Sequence, residues 1–162
     1  MALTHTPTAT IGANCPEFRL PGVDGRQYDV KDFADADALL VMFICNHCPY
    51  VKAIEDRLIE LGRQYQNTSA RIVAICSNDA ADYPDDSFVN LQKRWKEKEY
   101  PFPYLHDEDQ TVAKAFGAVC TPDFFLYDQQ RRLAYRGRLD DNWKEADKVQ
   151  SRDLQNAIDA LL

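Results

Sequence analysis

The sequence predicts an α/β fold: a central mixed β-sheet flanked by helices, with a β-hairpin extension at the amino terminus. Three observations carry that prediction. "ALLVMFI" (38–44) is apolar at every position, as in a strand covered on both faces of its sheet. From Tyr50 the period changes: Val51, Ile54, Leu58, Leu61 and Tyr65 recur at threes and fours, the spacing of one helix face. A second apolar run, "RIVAIC" (71–76), follows, so strand and helix alternate as they do around a parallel sheet.

The remaining elements follow in chain order. "CPEFRLPGVDGRQYDVKDF" (15–33) reads as two short strands around "VDGR", where Asp24-Gly25 supplies a tight turn. Ser87 caps a helix whose inner stripe is Phe88, Leu91 and Trp95. "YPFPYLHD" (100–107) carries two prolines and is not helical. Asp109 is the expected N-cap of a short helix ending at Gly117. "DFFLYD" and "RLAYRG" form an antiparallel hairpin through "DQQR", and a last helix carries Leu154, Ile158 and Leu161. The two central strands are parallel and the closing hairpin is antiparallel.

Composition narrows the functional classes. The 162 residues suit one domain, with residues 1–10 as a polar tail. A net charge of −7 excludes nucleic acid as a partner, because phosphate binding needs a basic surface. No apolar run approaches the roughly 20 residues that span a bilayer, so no membrane is expected. "MALTHTPTATIGAN" has neither a basic n-region nor an apolar h-region, which leads to the expectation of a cytoplasmic protein. Five cysteines, at 15, 45, 48, 76 and 120, are odd in number and scattered, so they are no disulfide framework.

The chemistry concentrates in "CNHCPY" (45–50), where a buried strand hands over to a helix. Residues i and i+3 in a first helical turn have Cα atoms roughly 5 Å apart, within disulfide reach. A helix N-terminus favours the thiolate at Cys45, and a protonated His47 adds to that effect. Pro49 fits the first turn, where its missing N–H costs little. A structural zinc site needs further N or S ligands, and no second C-x-x-C or H-x-x-x-H exists. In "VCTPDFFLYD" (119–128), Thr121-Pro122 precedes a strand and suits a sharp turn. A cis bond there would bring backbone alongside the thiol pair. Cys120 stands two residues before Pro122, either packed under that loop or serving as a third thiol.

C-x-x-C, Thr-Pro and this element order together resemble the thioredoxin superfamily, from about Gly12 to the end. The amino-terminal hairpin is similar to the alkyl hydroperoxide reductase/thiol-specific antioxidant (AhpC/TSA) branch, which includes peroxiredoxins and membrane-tethered thiol–disulfide oxidoreductases. The resemblance implies a thioredoxin fold and a thiol–disulfide oxidoreductase working on protein or small-molecule disulfides and thiols, without a cofactor. It implies that Cys45 attacks, Cys48 resolves, and Pro122, after Thr121, is a cis-proline orienting the partner's disulfide. His47, between the cysteines, would stabilise the reduced form. Two other readings stay open. One is an antioxidant, peroxiredoxin-like peroxidase with Cys48 or Cys45 attacking peroxide and Cys45 or Cys120 resolving. The other is a non-catalytic copper- or zinc-binding protein using Cys45, Cys48 and His47.

Several residues depart from the family patterns. Leu39 stands where thioredoxins bury an acid, and Ile44 replaces the usual Trp. Cys45 occupies the peroxiredoxin threonine position, and no motif assigns Arg136 or Arg138 to a peroxidatic thiol. Cys15 and Cys76 read as packing, His5 as tail, and His106 as a surface residue near a helix cap. "SNDAADYPDD" (77–86) is acidic but lacks the spacing of a calcium loop. Asp140 and Asp141 read as turn residues or as part of the site's rim.

Overall fold

The computed structural model describes residues 10–162, so His5 and nearly all of the expected tail lie outside it. Two short strands, β1 (Arg19–Pro21) and β2 (Gln27–Asp29), pair antiparallel, as expected. Gly25 takes φ +89° between them, a backbone conformation that glycine adopts without steric cost. Then come β3 (Ala38–Phe43), α1 (Pro49–Tyr65), β4 (Ala70–Cys76), α2 (Phe88–Glu97) and β5 (Tyr104–His106). The chain ends with α3 (Thr111–Phe116), β6 (Asp123–Tyr127), β7 (Leu133–Gly137) and α4 (Asp153–Leu161). The main sheet has the order β5-β4-β3-β6-β7. β3 runs parallel to β4 and β4 to β5, while β6 is antiparallel to β3 and to β7.

All six residues of β3 are buried because both faces of the sheet are covered. Successive side chains of a strand point to opposite faces. Leu40 and Met42 meet Ile54 and Leu58 of α1, Leu91 of α2, and Leu154 and Ile158 of α4. Leu39, Val41 and Phe43 meet Phe18, Val30 and Phe33 from the hairpin region, and Val112 and Phe116 of α3. Each such large apolar side chain contributes about 1.5–3 kcal/mol on burial.

Polar ties fix the helices to this core. Glu55 of α1 is buried and accepts from Arg94 Nε (2.9 Å), Arg94 Nη2 (2.6 Å) and Tyr100 Oη (2.6 Å). Ser87 caps α2 as expected, its hydroxyl accepting from Asn90 N at 3.2 Å.

Three expectations change. The proline-rich "YPFPYLHD" contains β5, a strand the sequence hides because Pro101 and Pro103 interrupt its start. β5 sits at the sheet edge, where proline is tolerated, and the Pro103 carbonyl still accepts from Ala74 N at 3.0 Å. The N-cap of α3 is Gln110, with φ +64°, not Asp109. The orphan amides at that end go to buried Asp107, which accepts from Val112 N (3.2 Å) and Ala113 N (2.9 Å). His106 is buried in β5 against Phe88, with ring centroids 5.9 Å apart, rather than exposed. Gly117 ends α3 in the left-handed conformation, as expected.

Candidate active site

The site forms where β3 ends. The Ile44 amide extends the ladder by one bond, donating to Ile75 O at 3.0 Å, and the chain then bends through Cys45, Asn46 and His47. Cys48 is the N-cap of α1 and Pro49 its first residue. Pro49 sets this boundary, since proline fits the first helical position and no later one. Cys45 therefore precedes the helix instead of lying in its first turn, and the positive helix end faces Cys48.

That placement reverses the expected order of acidity. The Cys48 thiol is lowered to about 5, chiefly because Cys45 donates a hydrogen bond to its sulfur, with help from Thr121 and the amides of Val51 and Tyr50. The Cys45 thiol is pushed up by donating that bond, by burial and by the nearby Asp86 carboxylate. The hydrogen bond between the sulfurs thus favours one proton and one negative charge across the pair. Both cysteines are nearly covered, Cys45 at 2% and Cys48 at 0% residue exposure, so a reactant must approach through the surrounding loops.

Thr121 brackets both sulfurs. Its Oγ1 lies 3.5 Å from Cys45 Sγ, and its carbonyl accepts from Cys48 Sγ at 3.4 Å when that thiol carries its proton. The Thr121–Pro122 bond is cis. Cys120 is half-buried and lines a cavity of about 180 Å³ between this loop and Ser77 and Asn78 at the end of β4.

Asp86 is the functional candidate that sequence reasoning missed. It is fully buried, and its Oδ1 accepts from Asn46 N at 2.6 Å and from His47 N at 3.3 Å. Oδ2 accepts from Asn78 Nδ2 at 3.0 Å and makes a short contact with His47 Nδ1. The imidazole stacks on Tyr83, with centroids 4.2 Å apart and planes 9° from parallel. The Asn46 side chain donates to the Asp85 and Asn90 carbonyls, both at 3.0 Å. The whole C-N-H-C turn is therefore clamped by residues 83–90. Leu39 is buried in β3 as expected, but a buried acid reaches the site from this loop instead. The only sequence signal was proline ahead of an acidic pair before a helix cap, in "YPDDS".

The other candidates fall elsewhere. Burial pushes the thiols of Cys15 and Cys76 up to about 12, consistent with packing roles. Arg136 is committed to Asp123, with Nη2 at 2.8 Å and Nε at 3.2 Å, and Arg138 Nε donates to Asp153 at 2.6 Å. Asp140 is buried on Arg57 at 2.5 Å, and Asp141 accepts from the amides of Gln150 and Ser151.

Comparison with known proteins agrees with this architecture. The AhpC/TSA family model matches residues 11–136. Thiol-disulfide oxidoreductase ResA of Bacillus thuringiensis subsp. konkukian (strain 97-27) is 26% identical over 129 residues, which cover 76% of this chain and 66% of that protein. The crystal structure of a hypothetical protein from Sinorhizobium meliloti 1021 is 42% identical with a TM-score of 0.94, covering 98% of this chain and 87% of that one. A secreted Mycobacterium tuberculosis disulfide oxidoreductase, described as homologous to E. coli DsbE, shares the fold. It has a TM-score of 0.67 at 15% identity, covering 88% of this chain and 95% of that one.

That secreted relative corrects the expectation of a cytoplasmic protein. Amino-terminal composition and cysteine number do not assign a compartment to this fold, whose dithiol chemistry also operates outside the cytoplasm. No helix among the described residues is long and apolar enough to cross a membrane. With a five-stranded mixed sheet, its flanking helices and the amino-terminal hairpin in place, the chain has the thioredoxin fold and belongs to the AhpC/TSA family.

Proposed function

We propose that this protein is a thiol–disulfide oxidoreductase whose Cys45/Cys48 dithiol exchanges with disulfides of protein or small-thiol partners. The observation that carries this reading is the geometry of the thiol pair around Thr121. Two sulfurs of opposed acidity sit against Thr121 at the strand-to-helix junction. As Cys45 Sγ attacks a partner's disulfide, its proton passes to the Cys48 thiolate along the hydrogen bond already joining them. A Cys45–partner S–S bond forms, the partner's own S–S bond breaks, and one partner sulfur leaves as thiolate.

Cys48 then gives up the proton to that leaving thiolate. The amides of Tyr50 and Val51 still favour its charge after Cys45 has ceased to donate. Cys48 attacks Cys45 Sγ and releases the second partner sulfur, so two electrons have moved from the dithiol to the partner. Thr121 and Pro122 orient the incoming disulfide against the pair. His47, held to Asp86, tempers the carboxylate's effect on Cys45. The peroxidase reading is weaker, since Arg136 and Arg138 are both committed to carboxylates.

The test is trapping. Cys48→Ser, mixed with an oxidised peptide, should accumulate a mixed disulfide at Cys45, visible by mass spectrometry. Trapping only at Cys48, in Cys45→Ser, would reverse the order of attack. Trapping at neither, with rapid consumption of hydrogen peroxide, would replace exchange by peroxidase chemistry.

A further inference from the structure

Cys45, His47 and Asp86 each offer one ligand-type atom, and these atoms all lie within 4.8 Å of one another. The cluster is interior: Cys45 is 2% and Asp86 0% exposed, and the His47 side chain 16%. Among the described residues the Asp86 carboxylate has no Lys or Arg partner; its contacts are two amides, the Asn78 side chain and the imidazole. Burying a carboxylate without a cation is costly. His47 Nε2 is also buried, and no hydrogen-bond partner meets it among the described residues.

We propose that the dithiol form binds one Zn²⁺ through the Cys45 thiolate, an imidazole nitrogen of His47 and the Asp86 carboxylate, with water in the fourth position. Sulfur, nitrogen and oxygen donors in a tetrahedral set suit zinc. Zinc–ligand bonds of about 2.0–2.3 Å put neighbouring ligand atoms about 3.3–3.6 Å apart, so no pair must close by more than about 1.5 Å. Binding displaces the Cys45 thiol proton to solvent. Cys48 lies outside the mutually close set and is not a ligand. The redox dependence of the site rests on the exchange reading, because a Cys45–Cys48 disulfide removes the sulfur ligand.

Co²⁺, a coloured stand-in for Zn²⁺, tests the site in the full chain. Reduced protein should take up one equivalent, with a thiolate-to-metal charge-transfer band and tetrahedral d–d absorption, and Zn²⁺ should displace it. Protein oxidised with glutathione disulfide should show neither band. Cys45→Ser should abolish the charge-transfer band, whereas Cys48→Ser should keep it. His47→Ala and Asp86→Asn should each weaken binding about ten-fold or more. If Asp86→Asn does not fold, His47→Ala alone decides. No band in the reduced wild type, or wild-type affinity in His47→Ala, overturns the site. A protein that exchanges disulfides without binding Co²⁺ sinks the metal site alone. One that binds Co²⁺ and never forms the disulfide sinks the exchange reading alone.

Discussion

Asp86 accepts the backbone N–H of Asn46 at 2.6 Å, across 40 residues of sequence, from a carboxylate with no exposed surface. This one contact ties the turn carrying Cys45 and Cys48 to the loop between β4 and α2. Replacing Asp86 with Ala leaves the Asn46 amide, the His47 amide and the Asn78 side chain without their acceptor. Buried donors left unsatisfied cost about 1–3 kcal/mol each. Partial solvent access at this turn lowers the sum, so urea denaturation should show a loss of about 3 kcal/mol. Asp86→Asn keeps one acceptor oxygen and should lose about half of that. A loss below about 1 kcal/mol in Asp86→Ala would mean that the turn is held by other contacts.

Most of the fold was legible because it is written in local periods. The apolar run of β3, the threes and fours of α1 and the closing hairpin each announce themselves within a dozen residues. β5 was hidden, since three residues after two prolines carry no period of their own. The C-x-x-C pair was legible from spacing, but its acidity was not. That depends on the helix starting at Pro49, one residue past Cys48. Asp86 was the least visible, because an acidic run before a helix reads as solvated surface until tertiary packing buries one member of it.

His47 and Asp86 should move the reduction potential in opposite directions. Asp86 lies beside a thiol pair that carries one negative charge when reduced, and its side-chain partners there include the His47 imidazole. His47→Ala exposes the pair to an unmoderated carboxylate, destabilises the reduced form and should lower the potential by about 30 mV, equivalent to about 1.4 kcal/mol for two electrons. Asp86→Asn should raise it by a similar amount. Glutathione equilibration of both variants checks this, and shifts of the same sign would remove the electrostatic account.

The thiol pair should show a split titration. Cys48 is depressed to about 5, so alkylation at neutral pH should proceed through one thiolate and fade as pH falls through about 5. A depressed thiol stabilises the folded reduced protein above its unfolded pKa and loses that effect as pH falls through the folded value. The raised Cys45 thiol works the other way, its contribution fading only in alkali. The melting temperature of reduced protein should therefore climb from about pH 5 toward about pH 8.5, relative to oxidised protein. A flat difference across that window would contradict the shared proton.

Arg136 and Asp123 form a nearly dry ion pair directly after the Thr121–Pro122 loop, with side chains 7% and 0% exposed. Arg136 Nη2 also donates to the Gly117 carbonyl at 3.0 Å, and the guanidinium lies 4.4 Å over the Phe125 ring. Arg136→Ala strands the carboxylate, and calorimetry should register a loss of about 3–5 kcal/mol. Disulfide exchange should slow as well, because Thr121 loses its anchored base. Unchanged stability would show that Asp123 finds another donor.

The most direct test is a redox titration of the whole protein in glutathione buffers, quenched with acid and mapped by mass spectrometry. A single two-electron transition is expected, joining Cys45 to Cys48, with a midpoint between about −230 and −120 mV. Cys45→Ser and Cys48→Ser should each abolish it. Failure to form the Cys45–Cys48 bond at any glutathione ratio, or pairing of either cysteine with Cys120 instead, would contradict the account.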